Sequence, residues 1–65
     1  MFVIKLQKKS NGIDKFDKVI EFEDEDKARF KYIQFMRQSY YFGRLVRIVN
    51  GREENMASFC NSEFA

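Results

Sequence analysis

Hydrophobic and polar positions change period twice within the first fifty residues. "MFVIKLQ" at 1–7 alternates, with Phe2, Ile4 and Leu6 on one side and Val3, Lys5 and Gln7 on the other. Period two with β-branched and aromatic residues predicts a strand. "KKSNGIDK" follows, and its Asn11-Gly12 pair suits the positive φ angles of a tight turn. "KFDKVIEFE" then alternates again. Phe16, Ile20 and Phe22 share one face with Lys18, which is expected to snorkel at its margin, while Asp17, Val19, Glu21 and Glu23 take the other. The two runs predict a β-hairpin.

From Asp24 the period becomes helical. Asp24 suits an N-cap, and Glu25 and Asp26 suit the positive end of the helix dipole. The helix is expected to run to about Tyr41 and to stop near Gly43, a natural C′ residue. At 100° per residue Ala28, Tyr32, Phe35, Met36 and Ser39 form the core stripe, with Phe42 at its margin. Phe30, Ile33, Arg37 and Tyr41 fall on a second arc, roughly opposite, with Tyr40 between the two.

"RLVRIVNG" returns to a β-branched strand. A right-handed crossover from the second strand to the third lets the third lie beside the first. The order is then 2-1-3, every neighbour antiparallel, with Leu45 and Val49 or Val46 and Ile48 completing the face under the helix. Asn50-Gly51 is a second turn signal. "REENMASF" after it can fold back as a fourth, edge strand (order 2-1-3-4), which would set Arg47 opposite Glu54. The helical spacing of Met56, Phe59, Cys60 and Phe64 leaves a short C-terminal helix open, and a loose tail is the third option. The expected fold is therefore α+β in two layers. It is a single domain, 1–65, of form β-β-α-β(-β), with its core in 1–50 and one helix over one face of a three- or four-stranded antiparallel sheet.

Composition narrows the chemistry. Sixty-five residues lie near the lower limit for folding without metal or disulfides, and eleven aromatics partly compensate. The formal net charge is +2, too small for the overall field to dictate a partner. A lone Cys60 permits no internal disulfide, which suggests a reducing compartment, the cytoplasm. "MFVI" runs straight into a lysine and resembles no secretory leader. No apolar run approaches the roughly 20 residues of a membrane span. There is no histidine, and neither a phosphate-binding glycine loop nor a nucleophile elbow occurs. No catalytic residue, metal site or cofactor is expected, and enzyme activity is not.

Three surfaces remain as candidates for partner binding. The second helix stripe, Phe30, Ile33, Arg37 and Tyr41, combines residue types enriched at interface hot spots. It could meet a tail formed by Met56, Phe59 and Phe64, a second copy in a homodimer, or a foreign partner. The acidic run Glu21, Glu23, Asp24, Glu25 and Asp26 could hook a basic partner, although a strand end followed by a helix start already accounts for it. For nucleic acid the candidates are Arg44, Arg47 and Arg52, with Lys8, Lys9, Lys15 and Lys18 of the first hairpin.

The hairpin, the phrase "FEDEDKARFKYIQFM" and the return strand "RLVRIV" resemble the small β-β-α-β proteins encoded by bacteriophages and prophages. Some proteins of that class are inhibitors, anti-CRISPR and other counter-defence proteins among them. The resemblance implies a non-enzymatic inhibitor or adaptor that occludes a host protein or ribonucleoprotein. The alternatives are a nucleic-acid-binding regulator and a homodimeric structural module.

Overall fold

The computed structural model describes residues 1–10, 12 and 15–64. Its elements are β1 (Phe2–Gln7), β2 (Lys18–Phe22), α1 (Glu25–Met36), β3 (Phe42–Val49) and β4 (Arg52–Cys60), followed by a 3₁₀ turn over Ser62–Phe64. The strands form one antiparallel sheet in the order β2-β1-β3-β4, and α1 covers one face. The fourth strand and the central position of β1 agree with the alternation in the chain.

Alternation along β1 separates the two faces. Phe2, Ile4 and Leu6 pair with Phe22, Ile20 and Lys18 of β2, and on the other side with Arg47, Leu45 and Gly43 of β3. This face meets Ala28, Tyr32 and Phe35 of α1 in the core. Leu45 thus occupies the helix side and Val46 the open side, which settles the two options for β3. Lys18 does lie on the apolar face, its Nζ 5.5 Å from the centroid of the Phe35 ring, so its stem covers carbon while its charge meets π density.

Turn chemistry accounts for the β3–β4 hairpin. Val49 pairs with Arg52, which leaves Asn50 and Gly51 as a two-residue turn with φ of 53° and 75°. Two successive positive φ values define the type I′ turn, whose twist matches that of the flanking strands. The register sets Arg47 opposite Glu54, and an irregularity follows between Leu45 and Val46. In the β1–β2 connection, Gly12 has φ of 94°. The expected Asn11-Gly12 turn lies partly outside the described residues, because Asn11 is not among them.

The helix is shorter than its pattern predicts. It ends at Met36, with Arg37 as C-cap, five residues before Tyr41. The amides of Arg37 and Gln38 bond to Gln34 and Phe35, at 3.2 and 3.0 Å, a tightened i→i−3 close of the last turn. Two tertiary contacts take the chain from there. Tyr40 is buried with its ring edge-on to Phe35, 5.8 Å between centroids, and the Tyr41 amide donates to the Gln7 carbonyl at 2.9 Å, beside the β1–β3 ladder. The core stripe is corrected accordingly. Met36 is 43% exposed, Ser39 is exposed, and Phe42 belongs to β3 on the open face, whereas Tyr40 joins the core. Gly43 caps no helix but lies within β3, opposite Phe59.

Candidate functional site

The open face of the sheet carries Val3, Lys5 and Gln7 of β1, Val19 and Glu21 of β2, and Phe42, Arg44, Val46 and Ile48 of β3. No second layer covers it among the described residues, yet Val3 and Val46 are buried. The register explains Val46. Lys5 on β1 and Glu53 on β4 stand diagonally on either side of it, and Lys5 Nζ reaches both carboxylate oxygens of Glu53, at 2.8 and 3.0 Å. The bridge passes over the valine. That hydrogen bond, with the charge of Lys5 behind it, holds the Glu53 carboxyl below the ordinary carboxylate range.

At one end of this face the β1–β2 connection folds back toward β3. The Gln7 side chain is the buried tie. Its Nε2 donates to the carbonyls of Gly12 and Lys15, at 2.7 and 2.9 Å. Asp17 adds a second fastening, since its Oδ2 accepts from the Lys8 amide at 2.7 Å. Held this way, Phe16 does not continue the β2 alternation toward the helix. It crosses to the open face and stacks on Phe42, with centroids 6.4 Å apart and planes inclined by 29°. Lys5 Nζ lies 5.7 Å from the Phe16 centroid. β2 starts only at Lys18, so Phe16 is free of the ladder that would have fixed its side.

The result is an open depression of about 320 Å³ lined by Gln7, Ser10, Gly12, Phe16, Tyr41, Phe42 and Arg44. The Arg44 Nε donates to Asn55 Oδ1 at 3.0 Å, which orients the guanidinium, and neither ion pair among the described residues involves it. Lys8, Lys9 and Lys15 are exposed on the connection that walls the depression. Aromatic faces beside cations can hold flat, anionic ligands.

The expected sites regroup around this geometry. Phe30 and Ile33 remain exposed on the outer side of α1, at 61% and 45%, and Arg37 is exposed at the helix cap. Tyr41 leaves that stripe for the depression, because α1 has already ended. The C-terminal residues do not cover the stripe: Phe59 turns inward, edge-on to Tyr32 at 5.7 Å. Of the three arginines only Arg44 reaches the depression. Arg47 lies on the helix-facing side opposite Glu54, and Arg52 at the β3–β4 turn. The acidic run divides among elements as well. Glu21 is on the open face of β2, Asp24 caps the helix through a 3.2 Å bond from the Asp26 amide, and Glu25 pairs with Arg29 at 2.8 Å. Among the described residues no group of three acidic or cysteine side chains could hold a metal ion, and no helix is long and apolar enough to cross a membrane.

Phe16, Phe42 and Gln7 are the site residues that sequence reasoning missed. Phe16 and Gln7 carried one signal, a glutamine at the end of an apolar strand and a phenylalanine before the β2 run. Comparison with family models, with curated proteins and with solved structures finds no match. The functional reading therefore rests on the geometry of the open face.

Proposed function

We propose that the protein is a non-enzymatic binding protein, an inhibitor or adaptor of the phage-encoded kind acting in a bacterial host cell. In this reading it occludes a ribonucleoprotein by gripping exposed single-stranded nucleic acid with the open sheet face. One observation carries the proposal: the rings of Phe16, Tyr41 and Phe42 line the same depression as Arg44, beneath a connection bearing three lysines. Single strands are bound by this combination, rings stacking on bases while cations follow the phosphates. The depression lies within the usual volume range of ligand sites, large enough for a base and part of its sugar. Two acids lie near these cations: Glu53 is paired with Lys5 and also feels the charge of Arg44, and the Asp17 carboxylate is tied to the Lys8 amide.

The test is retention of a single-stranded oligonucleotide by the purified chain as salt is varied. Retention should fall steeply, with a logarithmic slope of about −0.7 per neutralised phosphate. Arg44→Ala, which removes one phosphate contact, should lower the magnitude of that slope by about 0.7. Phe42→Ala should weaken binding by about 1–3 kcal/mol, the scale of one base–aromatic stack. No retention of RNA or DNA at low salt overturns the nucleic-acid grip and returns the acidic run and the helix as the surfaces for a protein partner.

A further inference from the structure

The outer side of α1 carries a pattern unrelated to the open face. Asp26, Phe30, Ile33 and Arg37 follow one another at intervals of four, three and four residues. At 100° per residue they fall within an arc of about 60°, diametrically opposite the buried Ala28, Tyr32 and Phe35. All four are exposed, and the Arg37 cap keeps αR backbone angles, so its side chain continues the ridge. Spacing of this kind forms the seam along which two helices pack.

The ridge is self-complementary. Read from the N-terminus it runs acid, apolar, apolar, base; read from the C-terminus, base, apolar, apolar, acid. An antiparallel copy centred between residues 31 and 32 therefore sets Asp26 against Arg37, Phe30 against Ile33, and the same two pairs again across the dyad. We propose that α1 packs antiparallel on the α1 of a second copy of this chain, and that this charge pattern sets the register. The flanks allow it. In such a dyad each flank meets its own equivalent, which brings Met36 over the stem of Arg29, whose guanidinium is held by Glu25 at 2.8 Å. On the other flank Lys27 and its equivalent stand nine residues apart along the axis, about 13 Å, too far to confront each other directly. Phe30, Ile33 and Met36 from each copy make a contact well below the 1,200–2,000 Å² of a standard interface. The dimer is accordingly weak and reversible.

Analytical ultracentrifugation of the full chain, up to near-millimolar concentration, tests it. The wild type should show a concentration-dependent monomer–dimer equilibrium. Asp26→Arg and Arg37→Asp should each weaken it by roughly tenfold, the scale of two exposed charge pairs turned from attraction to repulsion. The double exchange, Asp26→Arg with Arg37→Asp, should recover most of the wild-type association, since opposite charges again face each other. Phe30→Glu should abolish it while circular dichroism confirms that the variant is folded. A wild type that stays monomeric throughout overturns the proposal. So does a dimer that tolerates Phe30→Glu, or a double exchange no better than either single one.

Discussion

A side chain at residue 43 would stand where the ring of Phe59 lies. A Cβ built on Gly43 overlaps Cε1 and Cζ of that ring, and the ring in turn meets Tyr32 edge-on. The missing side chain lets a β4 aromatic lie across β3 and close the core from the sheet side. Gly43→Ala should therefore cost about 1–3 kcal/mol of stability, the range for overpacking. Combined with Phe59→Leu it should cost less than the sum of the two changes, as denaturant titration of the four proteins would show. At Glu53 the effect is electrostatic. Its folded pKa is lowered, so the bridge contributes above the carboxyl's unfolded value and is lost as pH falls through the folded one. Thermal melts of wild type and Glu53→Gln should differ at neutral pH and converge in acid. A gap that persists below the carboxylate range would assign the difference to packing over Val46 instead.

Among the elements, α1 shows how far a pattern reaches. Its start follows the chain: Asp24 accepts from the Asp26 amide, and two acids occupy the first turn. Its end does not, because Tyr40 is drawn onto Phe35 and the Tyr41 amide goes to β1. The two residues at its C-terminal end should consequently behave very differently on truncation. Phe35→Ala removes a ring that touches Tyr40 and Lys18 and should cost about 3–5 kcal/mol, enough to unfold most of a chain this small. Met36→Ala, at an exposed position, should stay within about 0.5 kcal/mol. Equal losses in urea titration would restore Met36 to the core. The hairpins differ in the same way. Asn50-Gly51 closes β3 on β4 by backbone turn chemistry, whereas the β1–β2 connection is held by a side chain, that of Gln7 at the end of β1.

For the molecule as a whole, the helix ridge and the depression lie on opposite layers of a body only 15 Å thick on its shortest axis. Pairing through α1 would leave both open faces outward, two sites on one particle. A long single strand should then bind the wild type more tightly than Phe30→Glu, through effective concentration. An oligonucleotide too short to reach both sites should bind the two proteins alike. Equal binding at both lengths would separate the helix contact from nucleic-acid binding.

The alternation of residues 1–7 and 18–22, the cap at Asp24, the stripe of Ala28, Tyr32 and Phe35 and the Asn50-Gly51 turn were each determined within a few neighbouring residues. From them followed the four strands, the start of the helix and much of the core, because side-chain period and turn geometry are local properties of the chain, and the crossover rule then gave the strand order. Where α1 stops, which face Phe16 takes, and that Tyr41 joins Phe42 rather than Phe30 were decided only by tertiary structure. Each depends on a partner distant in sequence: Tyr41 and Gln7 are joined by a backbone bond, and Phe16 and Phe42 by a ring contact. Local period cannot encode such contacts, since they exist only once β3 has come to lie beside β1.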